Sequence, residues 1–361
     1  MKPISNQQDR VRGSLIGGAI GDALGYPVEF LSTYQAIQEA YGPQGITRLD
    51  PTQHGRTQPH GSPKALVSDD TQMTLFTACG LLNAAQHGEA PIPYISQAYI
   101  EWFLTQVGTR SPRHNTCWIN AIPELWATRA PGNTCLNALS DRLSGYEVHN
   151  DSKGCGGIMR IAPIPLYGAI QNRIADLPTV DRLAADASAL THLHPLGYIP
   201  SALLAHVIYR LVQDEQPTRT ACETYLREGL ALLPQLFPND SRYVKYQTQL
   251  IEKAIQLAQE EHEDHTAIER QLGGGWVAEE TLAIAVYCTL KYFDHFEQAL
   301  IASVNHAGDS DSTGAVTGNL LGAACGYEAI PQHYKTQLEL HDVIVHVADD
   351  LYQGQTTPFL P

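Results

Sequence analysis

The chain has 361 residues, enough for one large domain or two average ones, so neither disulfides nor a structural metal is needed to build a core. Its 23 Lys and Arg against 38 Asp and Glu leave a formal net charge of −15, with no run of cations to interrupt the excess. That balance argues against a nucleic-acid partner, because phosphate binding needs clustered cations that release counterions.

The opening stretch, Met1 to Gln8, is polar with one lysine, and the apolar stretch behind it is broken by Asp22, so neither a signal peptide nor a membrane span is expected. The first periodic pattern is a glycine at every fourth position, Gly13, Gly17, Gly21 and Gly25, a stripe along one face of a helix. An interior glycine costs about 1 kcal/mol against alanine, so the row calls for something larger residues forbid, and close approach of a second helix is the natural candidate. A Pro/Gly-rich connection, Asp50–Pro63, then precedes Ser68, Asp69, Asp70 and Thr71, behind which Leu75, Cys79, Leu82 and Ala85 recur at helical spacing. Further connections fall at Gly108–Asn115, Ala130–Asn133, Asn150–Gly157 and Gln271–Gly275. Before the last of these, Ile251, Ala254, Ile255 and Ala258 mark another helix face. The final pattern repeats the first: Gly314, Gly318, Gly322 and Gly326 follow Asp309, Ser310, Asp311, Ser312 and Thr313.

Convincing period-two strands are absent from the pattern, so the expectation is an all-α protein, a single domain over 1–361, whose first and last helical regions pack together. The seven cysteines, Cys79, Cys117, Cys135, Cys155, Cys222, Cys288 and Cys325, are odd in number and never spaced as CxxC, which points to a reducing, cytoplasmic setting without a thiolate zinc site. Nothing like a heptad argues for assembly, and the expectation is a monomer.

Both acidic clusters stand just before a helical pattern. One Ser, Asp or Thr is enough to cap a helix. Two adjacent acids with flanking hydroxyls, twice over, gather negative charge that calls for a cation. Oxygen donors without His or Cys suit a hard ion such as Mg²⁺ or Mn²⁺. From the residues alone, capping and metal binding both stay open.

Taken together, Gly13–Gly25 (GSLIGGAIGDALG), Val67–Met73 (VSDDTQM), Lys153–Pro163 (KGCGGIMRIAP), Leu190–Pro195 (LTHLHP) and Asn305–Ala315 (NHAGDSDSTGA) resemble, in order, the motifs of the ADP-ribosylglycohydrolases. The resemblance implies a roughly orthogonal all-α fold with two Mg²⁺ or Mn²⁺ ions at the floor of an ADP-ribose cleft. Carried over position by position, the ligands would be Ser68, Asp69, Asp70, Asp309, Asp311 and Ser312, with Glu29, Asp70 and Asp309 in catalytic roles. Substrate would meet Asn133, Gly154, Cys155, Gly156, Gly157, Met159 and His192, the glycine run offering backbone amides to the pyrophosphate. Two departures stand out. Ser68 and Ser312 occupy places where relatives have threonine, and Arg129-Ala130-Pro131 precedes Gly132-Asn133-Thr134 where the nitrogenase-regulating branch carries an acid. The Gly273-Gly274-Gly275-Trp276 loop, with Glu279 and Glu280 behind it, is either a cleft wall or a plain lead into a capped helix.

The activity so implied is hydrolysis of the bond between C1″ of ADP-ribose and a protein side chain, arginine first. Carboxylates would stabilise the oxocarbenium-like charge, and the ions would orient ribose hydroxyls and lower the pKa of a water. Alternatives are ADP-ribosylserine or O-acetyl-ADP-ribose as substrate, a silent binder of the lens-crystallin kind, or an immunity protein that counters an ADP-ribosyltransferase toxin. The expected partner is an ADP-ribosylated protein, with neither nucleic acid nor membrane.

Overall fold

The computed structural model describes residues 6–52, 64–170 and 173–359, and among these sixteen α-helices carry the architecture. They are α1 (Asn6–Gly25), α2 (Tyr34–Tyr41), α3 (Asp69–His87), α4 (Pro91–Gln106), α5 (Asn133–Leu143), α6 (Pro163–Ala169), α7 (Leu177–Ser188) and α8 (Pro195–Gln213). Then follow α9 (Arg219–Leu236), α10 (Ser241–Leu257), α11 (Asp264–Ala267), α12 (Ala278–Lys291), α13 (Phe296–Val304), α14 (Ser310–Cys325), α15 (Gln332–Gln337) and α16 (His341–Gln353). Extended pairing among the described residues is limited to two isolated bridges, Ala65 with Leu338 and Gly154 with Val277. The all-α expectation therefore holds. No described helix is long and apolar enough to cross a membrane.

Helix boundaries follow side-chain chemistry. Thr33, Asp176 and Thr218 accept hydrogen bonds from the amides of Ala36, Thr179 and Ala221, and so begin α2, α7 and α9. The helices α1, α8, α12 and α14 are buried along nearly their whole length and make the centre. Around them α7, α9, α10 and α16 bury one face each.

The two glycine rows meet. A Cβ on Gly13, Gly17, Gly21 or Gly25 would fall less than 3.0 Å from the carbonyl oxygen of Gly322, Gly318, Gly314 or Ser310, respectively. Partners step by four in opposite directions, so α1 and α14 run antiparallel in backbone contact. Ser14 and Asn319 stitch the seam reciprocally: Ser14 Oγ donates to the Asn319 carbonyl at 2.9 Å, and Asn319 Nδ2 donates to the Ser14 carbonyl at 2.8 Å. The pairing of Gly25 with Ser310 brings the turn after α1, which carries Glu29, beside the start of α14.

Some predicted connections are more ordered than expected. The end of Asn150–Gly157 is the first turn of a 3₁₀ helix, Cys155–Arg160. Gln271 and Leu272 still belong to a π turn, Ile268–Leu272, which stops at Gly273 because that residue sits at φ 111°. Of Asp50–Pro63, all but the first three residues lie outside the described residues.

Candidate active site

The first acidic cluster is held in place by charge. Asp22, wholly buried in α1, accepts hydrogen bonds from the Ser68 amide at 2.9 Å, the Thr71 amide at 3.1 Å and the Thr71 hydroxyl. Ser68 in turn caps α3 by accepting from the Asp70 amide at 3.2 Å. Behind this turn lies a buried ion pair, Arg129 with Glu339 at 2.8 Å. It grips the backbone of Val67 from both sides, since Arg129 donates to the Val67 carbonyl and Glu339 accepts from the Val67 amide, each at 3.1 Å. The Arg129 carbonyl also accepts from the Asp69 amide at 3.0 Å. Where relatives were expected to carry an acid, this chain has Arg129, and its guanidinium turns to Glu339 and Val67. Gly132 donates to Asp69 Oδ2 at 3.4 Å, which ties the Gly132–Thr134 loop to the cluster.

The second cluster rests on backbone. Asp309 caps α14, accepting from the Ser312 amide at 3.4 Å, and Asp311 accepts from the same amide at 2.9 Å. The Asp309 amide donates to the Gly274 carbonyl at 2.8 Å. Glu280 fixes that neighbouring loop by accepting from the amides of Gly274 and Gly275 at 3.0 and 3.2 Å. The Gly273–Trp276 loop is thus part of the site wall. Cys155 donates through Sγ to Asp309 Oδ2 at 2.7 Å.

These elements converge. Ligand atoms of Glu29, Asp309 and Asp311 lie within 4.8 Å of one another, and all three residues are buried. Glu29 is only 7% exposed, so it is not the surface carboxylate that a position after Pro27 would otherwise suggest. Burial, together with the Asp311 charge, pushes Asp22 up to about 7 and raises Asp69, Asp70 and Asp309 well above the usual carboxylate range. Burial raises Asp311 as well. The N-termini of α3 and α14 both meet this centre, and their dipoles offset part of the repulsion. They do not satisfy every acceptor: Asp70 Oδ2 is buried without a hydrogen-bond partner. A buried set of oxygen donors with surplus negative charge and an unused lone pair fits a hard divalent cation. Capping and cation binding are therefore compatible here, since Ser68 and Asp309 do the capping while Asp69, Asp70 and Asp311 remain in the first turns.

The glycine run also has a local packing cause. Cβ atoms on Gly154 and Gly156 would press on the ring of His192, and one on Gly157 would meet the Gly197 carbonyl, so packing alone demands small residues. The amide of Cys155 is committed to the Trp276 carbonyl at 3.2 Å and that of Gly154 to Ser152 Oγ at 3.4 Å. His192 is 2% exposed and lies beneath this loop with Nδ1 2.9 Å from Thr191 Oγ1. Burial and the nearby Arg160 lower its pKa to about 3, so it is neutral. Met159 is buried, with its sulfur 4.0 Å from Ser312 Oγ. Asn133 is exposed at the first position of α5, next to Gly132.

Sequence reasoning missed Asp22, Glu339 and Glu280 as organisers. Asp22 had a signal, an acid set within an apolar, glycine-striped helix. Glu339 had none, because its role depends on Arg129, 210 residues away.

The profile of the ADP-ribosylglycohydrolase family matches residues 3–360. The chain belongs to that family. Its members are hydrolases of glycosidic bonds. The ADP-ribosylarginine hydrolase Tri1 of Serratia proteamaculans is 24% identical over 97% of this chain and 81% of that protein. The ADP-ribosyl-[dinitrogen reductase] glycohydrolase of Rhodospirillum rubrum is 26% identical over 92% of this chain and 91% of its own length. Bovine ADP-ribosylhydrolase ARH3 is 25% identical, but the match spans only 56% of this chain and 58% of that protein. A solved structure described as an ADP-ribosylglycohydrolase-related protein complex superposes with a TM-score of 0.62 at 22% identity, covering 97% of this chain and 99% of that one, which supports the fold.

Proposed function

We propose that this chain hydrolyses the N-glycosidic bond between C1″ of ADP-ribose and an arginine guanidinium nitrogen of a modified protein. The observation that carries the reading is the convergence of Glu29, Asp309 and Asp311 within 4.8 Å, beside an Asp70 that keeps an unpaired buried oxygen. Arginine is taken first because two relatives that match along 92–97% of the chain carry names that specify ADP-ribosylarginine or dinitrogen reductase.

Two Mg²⁺ or Mn²⁺ ions, held by Ser68, Asp69, Asp70, Asp309, Asp311 and Ser312, would supply polarisation of the ribose hydroxyls and a water of lowered pKa. The chain's own groups do the rest. Glu29, Asp70 and Asp309 surround the reacting carbon and stabilise the positive charge that grows on the ribose as the C1″–N bond lengthens. A Glu29 carboxylate oxygen takes the proton of the attacking water. The departing guanidine is a strong base and needs little acid assistance. The ADP portion follows Gly154, Cys155, Gly156, Gly157 and Met159, with Asn133 at the mouth and His192 holding the loop from below.

Purified protein with ADP-ribosylarginine and Mg²⁺ should release ADP-ribose, and EDTA or Asp309→Ala should stop it. No release from ADP-ribosylarginine would overturn the arginine reading, and no release from serine- or acetyl-linked ADP-ribose either would overturn the hydrolase reading as a whole.

A further inference from the structure

Large exposed apolar side chains scattered singly need no explanation, but two in contact at the rim of a buried acidic centre do. Phe30 is 60% and Trp276 47% exposed, and their ring centroids lie 6.3 Å apart at a tilt of 30°. Both are fixed to the site by backbone. Phe30 directly follows Glu29. Trp276 closes the loop whose Gly274 carbonyl receives the Asp309 amide and whose own carbonyl receives the Cys155 amide. The Thr281 hydroxyl and Glu280 hold the same loop from behind, through Gly275 and Gly274. The indole is therefore presented on a braced support, and the pair forms a short aromatic wall beside Glu29.

We infer that Phe30 and Trp276 are specificity-determining residues that receive the guanidinium of the modified arginine through their ring faces. The inference rests on the arginine reading above. The group bonded to C1″ has to lie within about one side-chain length of Glu29, and Phe30 is the next residue. Adenine lies at the opposite end of ADP-ribose, beyond the diphosphate, so it is the less suited occupant. A planar cation is drawn to aromatic faces, and the acidic centre adds a favourable potential at this mouth. A serine-linked substrate brings neither charge nor a π surface, and gains nothing from the wall.

At partly exposed sites a cation–π contact is worth about two- to fivefold in affinity per ring. The test compares wild type with Phe30→Leu, Trp276→Leu and the double variant, and with Phe30→Tyr and Trp276→Phe as aromatic replacements. Three quantities are read: kcat and KM for ADP-ribosylarginine, and the Kd for ADP-ribose measured by calorimetry. The leucine variants keep an apolar side chain at each position and lose the ring faces. Their KM should rise, about tenfold in the double variant, while kcat and the ADP-ribose Kd stay within about twofold and the aromatic replacements match wild type. A matching loss of ADP-ribose affinity would assign the wall to adenine and overturn the inference, as would a KM that does not move. Wild-type protein that leaves ADP-ribosylarginine intact would fail before any variant is made, and would overturn the arginine reading instead.

Discussion

Asp69 and Asp70 are positioned by charge: Asp22 collects the amides of the α3 turn, and Arg129 with Glu339 clasps Val67. Asp309 and Asp311 are positioned by shape: glycine against carbonyl along α1 and α14 sets where the second helix begins, and Gly274 receives its first amide. The difference decides how each half can fail. A polar clasp can be replaced as a pair, because removing both partners leaves no stranded charge. A backbone contact has no second residue to compensate it.

The largest effect is therefore expected at the seam. Leucine at Gly318 would drive its Cβ into the Gly17 carbonyl and force apart two helices buried on every side. Gly318→Leu should yield no soluble folded protein, or lower stability by more than about 3 kcal/mol in urea titration. An unchanged midpoint would show that the seam can open, and that the second cluster is not held by shape.

Breaking the clasp comes next. Arg129→Met leaves Glu339 buried without its cation and should cost about 3–5 kcal/mol. The pair Arg129→Met with Glu339→Leu should recover most of that, with about 1–3 kcal/mol still missing for the stranded Val67 amide and carbonyl. A double variant as unstable as the single would put the first cluster in the same class as the seam.

How much of this could be read beforehand follows the same division. The seam was legible because its cause is local in sequence: a residue type recurring every fourth position predicts a stripe, and two stripes predict a contact. The acidic clusters were legible for the same reason, as adjacent residues of one kind, and the order of motifs named the family. The clasp was not. Arg129 and Glu339 each look like ordinary charges, and only the fold makes them one group. The packing reason for the Gly154–Gly157 run was not legible either, since a glycine needed to clear His192 and one needed to approach an anion give the same letter. Trp276 was ambiguous because a loop before a helix and a wall of a cleft have the same composition.

Asp22 links both halves, belonging to the seam helix while it serves the clasp, and its substitution should have an intermediate effect. In Asp22→Asn one acceptor oxygen becomes an NH₂ facing donors from Ser68 and Thr71. Stability should fall by about 1–3 kcal/mol. ADP-ribose release should fall further than stability explains, because the first turn of α3 loses its register against Asp311. Equal activity at full folding would confine Asp22 to a structural role.

The smallest effect concerns the loop that touches Asp309 through Cys155, and it asks whether shape or charge holds that loop. His192 supports Gly154 and Gly156 as a neutral ring with its pKa lowered to about 3, whereas in the unfolded chain it titrates near 6.5. The folded state thus refuses a proton that the unfolded state accepts. The stability that depends on the neutral ring is complete above about pH 6.5 and drains away as pH falls from there toward 3. In His192→Gln nothing titrates at this position. The stability difference between wild type and variant should narrow by about 1.4 kcal/mol for each pH unit below 6.5, measured by urea titration at several pH values. A difference that stays constant to pH 5 would mean that the folded protein takes up the proton on His192, and the loop would then rest on a charge beneath it, not on the packing of a neutral ring.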